Sequence, residues 1–123
     1  MITGMVNARY EMAITLSVRN SAGQEQEVEA ILDSGFTGSL TLPPSLIAKL
    51  GLPWRSRSSV VLANGNVEEL DIHAATIVWD ATPRAILIQA VDNVPLIGMA
   101  LLVGYDSRAR VTIGGTVQIE MVP

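Results

Sequence analysis

The sequence predicts a mostly β protein, a mostly antiparallel β barrel or sandwich with one or two short helices. Three observations predict it. Apolar and polar residues alternate with period two, first at Met12, Ile14, Leu16 and Val18. Turn-forming residues recur about every ten positions. One stretch, 43–51, carries a clear helical signature.

Taken in chain order, "EMAITLSV" (11–18) reads as a half-buried strand, and "NSAGQEQ" as a polar turn. "EVEAIL" (27–32) is a second strand, with Val28, Ala30 and Leu32 on one face, so the pair forms a hairpin ending at Asp33. A short strand, "LTL" (40–42), precedes "PPSLIAKLG", a helix of about two turns. Prolines open it, Leu46, Ile47 and Leu50 share a face, and Gly51 stops it. "SVVLANGNVEEL" (59–70) is a hairpin whose Asn64-Gly65 supplies the positive φ angles of a tight turn.

Strands are expected at "HAATIVW" (73–79) and "RAILIQAV" (84–91), joined by a turn at 80–83. "PLIGMALL" (95–102) is apolar, with a helical turn after Gly98. "ARVTI" (109–113), Gly114-Gly115 and "TVQIEMV" (116–122) close the chain as a final hairpin. The expected total is about eight or nine short strands.

Length and composition bound the function. With 123 residues the chain is a single domain, residues 1–123, large enough to bury a core without disulfides or metal. Hydrophobic content is 49% and charged content 16%, which places it among globular proteins. A mean hydropathy of +0.38 implies more apolar surface than a small monomer hides, and a permanent homomeric interface would take up the excess. A net charge of −4 argues against nucleic acid and anionic membranes as partners. The absence of cysteine removes disulfides, thiolate metal sites and cysteine nucleophiles. No stretch reads as a signal peptide or a membrane span, so a cytoplasmic location is expected.

The chemistry concentrates at "AILDSGFTG" (30–38). Asp-Ser-Gly alone is ordinary turn chemistry. Here the acid follows an apolar strand, a hairpin with an Asn-Gly tip lies downstream, and Leu96-Ile97-Gly98 repeats the pattern of two branched apolar residues before a glycine. Other residues have plainer readings. His73, the only histidine, reads as a surface residue at a strand start, without the neighbours of a metal site. Trp54 and Trp79 read as core or interface packing, Arg55 and Arg57 as a solvated turn, and Glu68-Glu69 as a charged hairpin edge. Ser34 lacks the base a serine nucleophile needs.

"ILDSGFTG", the hairpin "VVLANGNVEEL" and "PLIGMALL" together resemble the retropepsin-like aspartic proteases of clan AA. Within them the sequence is similar to a small prokaryotic group whose motif reads Asp-Thr-Gly-Phe. The resemblance implies a closed retropepsin-like β barrel, one lobe per chain. It implies an aspartic endopeptidase without metal or cofactor, acting on extended peptide. In that family two carboxylates face each other across a water; one takes its proton, and the other donates a hydrogen bond to the scissile carbonyl. Carboxylates so close resist double ionisation and share one proton.

This chain carries one such motif. Asp71, Asp80, Asp92 and Asp106 lack the loop, so the second acid is expected from Asp33 of another copy in a twofold homodimer. By the same resemblance Ser34 ties the paired loops together and Gly35 lets the backbone pass close to the carboxylate. Phe36 stands where retroviral and pepsin-like enzymes carry a small residue; Thr37 and Gly38 complete the loop. Leu96, Ile97 and Gly98 support it from beneath, and Leu62, Ala63, Asn64 and Gly65 form a flap over bound peptide. The dimer is expected to interleave Met1–Val6 and Val117–Val122. The alternative is a catalytically inactive member of the same fold, a dimeric peptide-binding or assembly module.

Overall fold

The computed structural model describes all 123 residues. The alternation read in the sequence becomes burial in β2 (Met12–Arg19) and β3 (Glu25–Leu32). Ile14, Leu16 and Val18 of the first, and Val28, Ala30 and Leu32 of the second, are buried. The two pair antiparallel from Ala13↔Ile31 to Arg19↔Glu25. Asn20 shapes their turn, its Oδ1 accepting from the N–H groups of Ala22 and Gln24.

After β4 (Leu40–Leu42) comes α1 (Pro44–Leu50), which buries Ile47 and Leu50 and closes on Gly51. A long ribbon follows, β5 (Trp54–Val61) with β6 (Val67–Trp79), then β7 (Thr82–Ala90) and the two-residue β8 (Leu96–Ile97). The chain ends with α2 (Met99–Leu102), β9 (Tyr105–Ala109) and β10 (Thr116–Met121), and β10 pairs with β1 (Ile2–Val6).

All ten strands belong to one sheet, in the order β5-β6-β7-β4-β8-β3-β2-β1-β10-β9. An additional β2–β6 pairing, Ser17↔Val78 to Arg19↔Thr76, brings β6, β7, β4, β8, β3 and β2 into a ring. β5 and β9 stand at the two ends of the sheet. The core fills the ring with aliphatic side chains, and Thr41 is the one polar residue buried among them. Its Oγ1 accepts from the Leu96 N–H (2.9 Å), so β4 and β8 are joined through a side chain as well as through backbone.

Several expectations need correction. β6 is one strand of 13 residues, because its partner changes at mid-length from β5 to β2 with no interrupting turn. β5 starts at Trp54, so Arg55 and Arg57 lie in a strand; Arg57 pairs with Glu69 (3.1 Å) and Asp71 (3.3 Å) across the ribbon. Trp54 is 58% exposed, its indole N–H donating to Asp71, whereas Trp79 is buried and meets Tyr105 edge to face at 5.9 Å. His73 lies within β6, half-buried, its Nδ1 2.9 Å from the Leu52 carbonyl oxygen. The strand expected at 109–113 occupies Tyr105–Ala109 instead. Residues 110–115 fold back on themselves through Gly115 N–H to Thr112 O (2.8 Å), which leaves Val111 and Ile113 exposed.

The terminal segments expected to interleave between copies pair with each other inside one chain, Ile2↔Ile119 through Met5↔Thr116. β2 takes the other edge of β1 and β9 the other edge of β10.

Candidate active site

Asp33 is the first residue beyond β3. Leu32 is the last buried side chain of that strand, so the acid emerges where the core ends. β8 runs parallel beside it (Ile31↔Leu96, Leu32↔Ile97), and the Asp33 N–H donates to the Ile97 carbonyl at 2.9 Å. The loop turns at once. The Phe36 N–H donates to the Asp33 carbonyl (3.1 Å), and the Gly35 N–H donates to Asp33 Oδ1 (2.9 Å). A Cβ at Gly35 would sit 3.2 Å from that oxygen, close to the limit of contact.

The far side of the loop is held by the segment after β8. Gly98 N–H donates to Ser39 O (2.9 Å), Met99 N–H to Phe36 O (2.8 Å) and Ala100 N–H to Gly38 O (3.2 Å). Phe36 lies inside this cage. A Cβ built on Gly98 would overlap the Gly38 carbonyl oxygen and reach within 2.6 Å of the Phe36 ring; one on Gly38 would meet the same ring at 2.6 Å. Glycine at 38 and 98 thus makes room for Phe36, and the ring packs against the loop's own glycines. Leu96, Ile97, Gly98 and the Asp33 loop come together as one unit. Ser34 and Thr37 point to solvent, and neither hydroxyl has a hydrogen-bond partner within the chain.

Asp33 is half-buried and lines a cleft of about 320 Å³ with Tyr10, Glu11, Met12, Leu96 and Val111. Tyr10, Glu11 and Val111 carry no site motif in the sequence, and Met12 reads there only as a strand residue. Tyr10 has φ 59, a left-handed conformation uncommon for an aromatic residue. Asn7 holds it there, its Oδ1 accepting from the N–H groups of Arg9 and Glu11 (both 2.9 Å). The readable signal was Asn7 before a polar run, an Asx-turn pattern. Glu11 is the second carboxylate of the cleft, and its Oε1 is engaged by Asn7 Nδ2 at 3.1 Å.

The flap residues do not join this cleft. Leu62, Ala63, Asn64 and Gly65 form the tip of the β5–β6 ribbon, closed by Leu62 N–H to Asn66 O (2.7 Å) and Gly65 N–H to Leu62 O (2.9 Å). Gly65 takes φ 84, the turn geometry read from Asn-Gly. A larger groove, about 540 Å³, lies elsewhere, bordered by Arg19, Arg55 and Arg84; Asp33 does not line it. No group of three or more His, Cys, Asp or Glu side chains gathers as a metal site. No helix is long and apolar enough to cross a membrane.

Chemically, one loop presents one carboxylate with one backbone donor on Oδ1 and an open face. That suffices for a general base toward water; polarising a carbonyl at the same time needs a further hydrogen-bond donor.

No protein-family model matches the chain, and no curated protein matches it. Among solved structures the chain is similar to a retropepsin-like aspartic protease from Rickettsia conorii, with a TM-score of 0.57 and 13% sequence identity over 99% of this chain and 91% of that one. The mostly β architecture is therefore a retropepsin-like fold.

Proposed function

We infer that this chain is an aspartic endopeptidase that assembles its active site from two copies of Asp33 in a twofold homodimer. On this reading the six-strand ring is the closed barrel of one retropepsin lobe, and each chain supplies half a site. The observation that carries the reading is the Asp33 loop. Its carboxylate sits at the edge of the core on a backbone held from both sides, by Ile97 and by the Gly98–Ala100 segment, with an oxygen bonded to the Gly35 N–H. Such restraint holds a reacting group in place before substrate arrives. One Asp33 takes the proton of a shared water, the water attacks the scissile carbonyl carbon, and the partner's Asp33, protonated, donates to the carbonyl oxygen. As the C–N bond of the resulting gem-diol breaks, the first Asp33 gives its proton to the leaving nitrogen, and a hydroxyl proton returns to the partner's Asp33, restoring the singly protonated pair.

Ser34, exposed and unpartnered within the chain, fits a hydroxyl that bonds across the dimer axis. The flap ribbon, extended from the molecule and solvated on both faces, fits an element that closes over an extended peptide. Phe36 bears on the alternative of an inactive binding module. Its ring packs against Gly38 and Gly98, on the side of the loop held by the segment after β8, which favours the enzyme.

The test is cleavage of a peptide library across acidic to neutral pH by the wild-type chain, by Asp33→Asn and with a statine-type inhibitor. Cleavage abolished by the substitution and by the inhibitor supports the reading; peptide binding without cleavage supports the inactive module.

A further inference from the structure

We propose that two copies of this chain join along β9, edge to edge and antiparallel about Ser107, with Asp106 of each copy facing Arg108 of the other. The function of this seam rests on the dimeric reading above; its geometry rests on β9 itself.

β9 ends the sheet, and only one of its edges is paired. Its ladder to β10 is framed by Val122 N–H to Gly104 O (2.9 Å) and Arg110 N–H to Thr116 O (3.1 Å). Alternation along an antiparallel ladder then turns the backbone groups of Asp106 and Arg108 toward β10 and those of Tyr105, Ser107 and Ala109 toward the open edge. A second β9 paired there about a twofold axis must match these outward residues. Centring on Ser107 sets Ser107 against Ser107 and Tyr105 against Ala109, each pair exchanging both N–H···O bonds.

The positions between become non-hydrogen-bonded pairs, where side chains approach most closely. There Asp106 meets Arg108, twice by symmetry. The neighbouring registers fail. Centring on residue 106 sets Asp106 against Asp106, and centring on 108 sets Arg108 against Arg108.

Other observations favour this register. Within its own chain Asp106 lies directly opposite Glu120, a like-charge pair on an exposed face, and Arg108 reaches Glu120 only at 3.9 Å. A partner's Arg108 would relieve that acid pair. Val103, 74% exposed, and Val111, 61% exposed, stand just beyond the two ends of the strand, uncovered by the chain's own core. Val111 also lines the Asp33 cleft, so the end of the seam borders the candidate site. The opposite sheet end, β5, has arginines and no acid, so it offers no self-complementary pairing of charges.

The experiment uses the full chain with Asp106→Arg and Arg108→Asp, separately and mixed, plus the double exchange Asp106→Arg with Arg108→Asp. Light scattering across a dilution series reads the dimer, and peptide cleavage is followed in parallel. Each single variant should raise the dimer dissociation constant by about tenfold or more, because like charges then face each other twice. An equimolar mixture of the two should restore the dimer, since an Arg-Arg strand then meets an Asp-Asp strand, and the double exchange should dimerise as wild type does. The seam is overturned if a single variant stays as dimeric as wild type, if mixing fails to restore the dimer, or if wild type is monomeric throughout. A dimer that obeys these exchanges in a wild-type chain that cleaves no peptide upholds the seam and removes the protease reading.

Discussion

At the residue scale, Asp33 and the side chains packed around its loop carry distinct burdens. Gly98 is the tightest point. A methyl there has the Gly38 carbonyl oxygen in its path and Phe36 carbonyl oxygen at 2.8 Å, both backbone atoms that cannot swing aside. Gly98→Ala should therefore destabilise the fold by roughly 2–3 kcal/mol, read from urea unfolding. Thr41→Val keeps shape but leaves the half-buried Leu96 N–H without its acceptor, and should cost about 1–3 kcal/mol in the same measurement. Glu11 shares the Asp33 cleft yet is engaged by Asn7, so the two acids should separate kinetically. Asp33→Asn should lower kcat by about 10³-fold or more, and Glu11→Gln by less than about tenfold. Equal losses would assign the second acid to Glu11 and remove the need for a partner.

At the element scale, legibility followed burial. β2 and β3 were readable because one face of each is in the core, so Ile14, Leu16, Val18, Val28, Ala30 and Leu32 imprint a period of two. α1 was readable from Pro43 and Pro44 at its start and Gly51 at its end. The first part of β5, 54–58, was not, because it is exposed and takes its pairing from β6 rather than from a core face. β9 was masked by Val111 and Ile113, whose β-forming side chains suggested a strand where the chain makes an exposed loop. At the site, the Asp33 motif and the Leu96-Ile97-Gly98 support could be read as local sequence. The Asn7 turn that sets Tyr10 is local, but that it stands beside Asp33, together with Val111, depends on strand pairings distant in the chain. The ribbon's ion pairs are exposed, and Arg57→Ala should shift stability by less than about 1 kcal/mol in chemical denaturation. Its ion pairs therefore add little to holding the fold.

At the scale of the whole molecule, one chain presents one carboxylate loop, a cleft of about 320 Å³ beside it and a free β9 edge. Exposed apolar residues gather near that edge, at Val103, Val111, Ile113, Met121 and Val122, where a second copy would cover them. Activity that depends on a dimer must fall faster than protein concentration on dilution. A specific activity constant down to monomeric concentrations would contradict a shared site. The most direct measurement is cleavage by a mixed dimer. Wild-type chains are titrated with excess Asp33→Asn chains at fixed total concentration, with light scattering confirming that the variant still dimerises. A site built from two Asp33 side chains predicts that cleavage falls as the square of the wild-type fraction. A fall in simple proportion to that fraction would mean that each chain acts alone, and would contradict the account.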